Sequence, residues 1–110
     1  DIGRVFENTV FLELRRRGIQ PSYLRSDQEV DFFWEGGQLI NACFDASNNS
    51  TRQRELHGLH RAMNQLDLKE SWLITSDEKS EITQDGRVIH VLPLWAFLLH
   101  PQSIGLNPKL

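Results

Sequence analysis

Trp72-Leu73-Ile74-Thr75 is a short, nearly continuous apolar run bounded by charge, as a strand buried on both faces requires. It follows a segment, Ser50 to Leu66, whose apolar positions Leu56, Leu59, Met63 and Leu66 fall on one narrow helical stripe. A helix leading into a doubly buried strand implies a crossover onto a parallel neighbour, which places the chain among α/β folds. Its 110 residues, 39% hydrophobic and 25% charged, suit one soluble domain with one core.

The rest of the pattern extends that core. Ile2, Val5, Phe6, Val10 and Leu14 recur at spacings of three and four, predicting a first helix from Ile2 to Leu14. Phe11 and Leu12 widen its apolar face, and Gly18 supplies the usual stop. Tyr23-Leu24-Arg25, Val30 to Trp34 and Leu39 to Phe44 read as three short strands, separated by polar turns at Ser26-Asp27-Gln28 and Glu35-Gly36-Gly37-Gln38. Three strands in succession make a meander. Ser50 with Gln53 forms a capping box that opens the second helix. Asp85-Gly86, between Ile82-Thr83 and Arg87 to Val91, predicts a hairpin, and Pro93 opens a last helix from Leu94 to Leu99 that Pro101 ends. Residues 1–100 are thus one domain and 101–110 an irregular tail. The chain starts at Asp1 inside a helical pattern without an initiator Met, as a fragment of a longer protein would.

Composition narrows the chemistry. A lone Cys43 cannot form an internal disulfide and argues for a reducing, cytoplasmic setting. No apolar run approaches the roughly 20 residues of a membrane span. The net charge of −3 argues against a surface that is basic throughout. Nine Arg against three Lys nevertheless cluster at Arg15, Arg16 and Arg17 and at Arg52, Arg54 and Arg61. Arg15, Arg16, Arg17, Arg52 and Arg54 are the nucleic-acid-binding candidates, with a helix C-terminus as the alternative setting for the first three. His57 and His60, three apart on a helix, are the weaker metal candidates, and Cys43 reads as a small buried hydrophobe.

Period-two alternation puts Val30, Phe32 and Trp34 on one strand face and Asp31 on the other, among large apolar neighbours. An antiparallel hairpin brings Asp31 to the same side as Asn41, Cys43 and Asp45. Such a polar row is costly to bury unless hydrogen-bonded or holding a cation such as magnesium. The alternative has Asp31 accepting backbone or arginine hydrogen bonds and Asp45 opening a loop.

Gly3-Arg4-Val5-Phe6-Glu7-Asn8-Thr9-Val10, Glu13-Leu14, Glu29-Val30-Asp31-Phe32 and Val91-Leu92-Pro93-Leu94-Trp95-Ala96-Phe97-Leu98-Leu99 together resemble a domain of unknown function found at the C-terminus of prokaryotic AAA-type ATP-binding proteins. That domain is similar in turn to the PD-(D/E)XK nuclease superfamily, which includes archaeal Holliday-junction resolvases. The resemblance implies a restriction-endonuclease-like αβββαβ core, a central mixed sheet flanked by helices, with an added C-terminal hairpin and short helix. In active members a helix glutamate, a strand aspartate and a Glu-x-Lys bind one or two magnesium ions and position water. Glu7 and Asp31 match the first two. Cys43-Phe44-Asp45 stands where Glu-x-Lys belongs, replacing a hard ligand with a thiol and the lysine with a carboxylate.

The expectation is therefore a nuclease-like module, catalytically degenerate, that binds the rest of a parent ATPase chain, another protein partner or DNA. The alternative is a magnesium-dependent endonuclease using Glu7, Asp31 and Asp45, with Glu55, Arg52 or Arg54 as conceivable substitutes for the missing groups. No G-x-x-x-x-G-K occurs, so ATP belongs only to a region outside this sequence.

Overall fold

A computed structural model describes residues 1–24, 30–34 and 38–99 of the chain. Helix α1 (Ile2–Arg16) leads into strands β1 (Ser22–Leu24), β2 (Val30–Trp34) and β3 (Gln38–Cys43), then helix α2 (Asn49–Leu66). Strands β4 (Glu70–Thr75), β5 (Ser80–Gln84) and β6 (Arg87–Pro93) follow, and helix α3 (Leu94–Leu99) closes the order. The strands form one six-stranded sheet ordered β1-β2-β3-β4-β6-β5. β1, β2 and β3 pair antiparallel, β3 pairs parallel with β4 and β4 with β6, and β5 returns antiparallel along β6. The sheet is mixed, as the family resemblance implied. No described helix is long and apolar enough to cross a membrane.

In place of the single core expected from composition, two core clusters lie on opposite faces of this sheet. On one, Phe6, Val10 and Leu14 of α1 and Phe97 of α3 pack on Phe32, Trp34, Ile40, Trp72, Ile74 and Leu92. On the other, Leu59, Ala62 and Met63 of α2 cover Val30, Leu39, Leu73, Ile89 and Val91. β4 feeds both, since Trp72 and Ile74 point one way and Leu73 the other. This is the physical content of its continuous apolar run, and residues 71–75 are all buried.

Several local expectations need correction. α1 continues past Leu14 through Arg15 and Arg16, and Gly18 then takes the left-handed conformation at φ 82°. The cap of α2 is Asn48 rather than Ser50. Its side chain accepts from Thr51 N at 3.1 Å, and the Ser50 hydroxyl donates to that same oxygen. Gly58 and Ala62 join Leu59 and Met63 in the core, while Leu66, the last residue of the helix, stays 39% exposed. β3 ends at Cys43, leaving Phe44 outside it, and β6 runs on to Pro93. Val30 does not share the face of Phe32 and Trp34: it packs on the α2 side with Phe33. Alternation breaks at Asp31. The turns expected at 26–28 and 35–37, the Arg25 end of the first strand and the stop and tail at 101–110 lie outside the described residues.

The hairpin at Asp85-Gly86 forms as expected, with φ 53° and 75° at its two central residues, the mirror-image turn that matches strand twist. Arg87 ties it to the end of α2, donating to Leu68 O at 2.6 Å and Asn64 Oδ1 at 2.9 Å.

Candidate functional site

A cleft opens beside the break at Asp31. Paired residues between β2 and β3 run from Trp34–Gln38 to Phe32–Ile40 and go no further. Beyond that point side chains take over from the ladder. Asp31 N donates to Asn41 Oδ1 at 2.8 Å, and Ala42 N donates to Asp31 Oδ2 at 2.8 Å. Each strand therefore satisfies a backbone N–H of the other, or of its neighbour, through a side-chain oxygen. Asn41 is fully buried in this clasp.

The resulting cavity of about 960 Å³ lies where the first half of α1, the end of β3 and the start of α2 converge. α1 contributes Arg4, Glu7, Asn8 and Phe11, which fall on one helical stripe beside its core face. Phe11 stacks on Phe32 with centroids 6.2 Å apart, and Phe6 meets Phe44 edge-on at 5.6 Å, fixing the helix against the strands. From β3 and the loop after it come Ala42, Cys43, Phe44 and Asp45, and from α2 Thr51, Arg54 and Glu55. Glu7, Asp31 and Asp45 thus line one cavity.

Their electrostatics differ. Burial pushes the Asp31 carboxyl up to about 6, the Ala42 N–H partly offsets this, and the charge of Glu7 pushes it further up. The Cys43 thiol is also raised, first by burial and then by Glu55, against the pull of Arg54, with Asp45 and Asp31 adding to the rise. It packs on the α2-side core and is half-buried, close to the small hydrophobe expected. Asp45 is exposed and held low by Ser47, whose hydroxyl and backbone N–H both donate to its Oδ1. It opens the loop into α2.

These side chains do not suit a magnesium site of the kind the fold resemblance implies. A hard divalent cation takes ionised oxygens, whereas here one ligand position is the thiol of Cys43 and the Asp45 carboxylate is engaged by Ser47. Among the described residues no three His, Cys, Asp or Glu are grouped to hold a metal ion, and His60 instead faces Asn64 at 3.3 Å and Asp85 at 3.9 Å. The cations lining the cleft are Arg4 and Arg54.

Four of the five candidate arginines are engaged away from the cleft. Arg17 is 8% exposed, pairs with Glu13 at 2.7 Å, lies 4.4 Å over the Phe97 ring and donates to Phe97 O. Arg16 pairs with the same Glu13, Arg15 meets Gln20, and Arg52 pairs with Glu78. Of the five, Arg54 lines the cleft. Sequence reasoning missed Arg4, Asn8 and the bond from Asn41. The first two were legible, since Arg4, Glu7, Asn8 and Phe11 keep helical spacing.

Residues 2–97 match a family described as "Domain of unknown function (DUF4143)", a span that takes in Glu7, Asp31 and Asp45. The chain belongs to this family. As such a domain it is similar to the uncharacterized protein MJ1544 of Methanocaldococcus jannaschii, at 36% identity over 110 aligned positions covering 88% of this chain and 25% of that protein. The chain thus spans about a quarter of the length of that relative. No solved structure matches it.

Proposed function

We propose that this chain is a restriction-endonuclease-like module of a longer AAA-type ATPase, degenerate as a nuclease and acting by binding a protein partner or nucleic acid. The element order supports the fold, since a helix precedes an antiparallel meander whose third strand runs parallel to a fourth through a crossover helix. The greater length of the archaeal relative supports a module within a larger protein. The observation that carries the degenerate reading is at the end of β3. Where Glu-x-Lys would supply a hard ligand and a point positive charge, the cleft has the raised thiol of Cys43 and the ionised Asp45. Arg4 and Arg54 are not equivalents of the missing lysine, because a guanidinium stays protonated and disperses its charge over a plane.

Isothermal titration of magnesium or manganese into the chain, with and without a short branched DNA and with Asp31→Ala as control, tests this. The expected result is no saturable metal binding in either condition. Saturable binding that Asp31→Ala abolishes, together with cleavage of the DNA, would establish the second reading instead, an endonuclease using Glu7, Asp31 and Asp45. That reading rests on those three carboxylates lining one cleft. Binding of DNA without cleavage would show an affinity falling steeply with salt and weakened by alanine at Arg15, Arg16, Arg52 or Arg54.

A further inference from the structure

α1 carries a second apolar stripe that its own sheet does not cover. Ile2, Val5 and Leu12 are 62%, 60% and 56% exposed, although large aliphatic side chains on a helix packed against a core are normally turned inward. Thr9 falls on the same line, and its hydroxyl donates to Val5 O at 2.9 Å, which leaves its methyl to the stripe. Ile2, Val5, Thr9 and Leu12 repeat at three, four and three, the a and d positions of a heptad. An ordinary surface helix has no use for a second seam.

The charges beside that seam select its partner. The adjoining g positions are Asp1, Asn8 and Arg15, so the flank runs from negative to positive along the helix. A parallel copy would bring Arg16 to Arg16 at the next a position and leave Asp1 and Arg15 on opposite flanks, unpaired with each other. An antiparallel copy opposes Ile2 to Leu12 and Val5 to Thr9 in four apolar layers, sets Asp1 against Arg15 twice, and meets Asn8 with Asn8 at the two-fold axis. The helix is thus self-complementary in one direction only. α3, which packs on the same core through Phe97, also leaves Trp95 and Leu99 56% and 70% exposed.

We propose that two copies of this chain associate through α1, antiparallel about a two-fold axis near Asn8. One helix pair buries less than the roughly 1,600 Å² of a standard interface, so the dimer is reversible.

Sedimentation velocity of the 110-residue chain up to about 1 mM reads this directly. The mass should rise from 12.8 kDa towards twice that value. Ile2→Glu and Leu12→Lys each place a charge against an apolar layer and should raise the dissociation constant about tenfold or more. Both are benign to the helix itself, an acid in its first turn and a base towards its last. Mixing the two variants in equal amounts should restore association, because Glu and Lys then face each other across the seam. Arg15→Glu, which leaves every apolar layer intact, should weaken association independently, and Asp1→Lys added to it should recover it. A wild-type chain that stays monomeric at the highest concentration, or variants that associate as tightly as wild type, would overturn the proposal. A mixture that stays monomeric while both variants keep a wild-type far-UV circular dichroism spectrum would do the same.

Discussion

Asp31 is a carboxyl whose hold on its proton is tightened by burial. Its value rises from 3.8 unfolded to about 6 folded, so between those limits the native state holds the extra proton and folding stability falls as pH rises. The span corresponds to a loss on the order of 3 kcal/mol between pH 4 and pH 7. Asp31→Asn keeps an acceptor for Ala42 N without the charge, so it should be more stable than wild type at pH 7 and equal to it near pH 4, read from urea melts at both. Glu13 has the opposite sign. Burial would raise it, but the hydrogen bonds and charges of Arg16 and Arg17 outweigh that and hold it low, so its stabilisation is present above about 4.5 and lost on acidification. Glu13→Ala should cost about 3 kcal/mol at pH 7 by leaving Arg17 buried without its carboxylate, and that cost should shrink as pH falls. The sequence showed three arginines at a helix end but not that one of them is core, because the partner that buries it, Phe97, is 80 residues away.

Elements were legible where local chemistry decides them. The Asp85-Gly86 turn needs two left-handed residues and has the pair best suited to supply them, and Gly86→Ala at φ 75° should cost about 1 kcal/mol or more by thermal melting. Asn48→Ala should cost about 1 kcal/mol through the lost cap of α2, whereas Ser50→Ala should cost less, since Ser50 bonds to the cap and not to the helix N–H groups. A capping-box pattern suited Ser50 and Gln53, but Ser47-Asn48-Asn49-Ser50 offers several caps in a row. Which one is used depends on where β3 lets go of the sheet. The face of Val30 was illegible for a related reason: strict alternation assumes a continuous ladder, and the β2–β3 ladder stops at Phe32–Ile40.

At the scale of the molecule, β4 joins everything. Leu73 is fully buried on the α2 side, while its neighbours Trp72 and Ile74 belong to the α1 core. Leu73→Ala should cost roughly 2–5 kcal/mol and still leave one cooperative transition, with tryptophan fluorescence and far-UV circular dichroism coinciding, because neither face has an independent sheet. That central role was plain from the nearly continuous apolar run Trp72-Leu73-Ile74-Thr75. What the cleft binds was not, because its walls come from segments some 50 residues apart in the chain, Arg4 and Glu7 at one end and Arg54 and Glu55 at the other. The clasp of Asp31 and Asn41 carries one more consequence. The two side chains mend an opening in the sheet that neither closes alone, so a library randomising both positions should return survivors as matched pairs, with one-sided replacements depleted. An acid held in that way persists as joinery, kept by the sheet whatever the cleft beside it does.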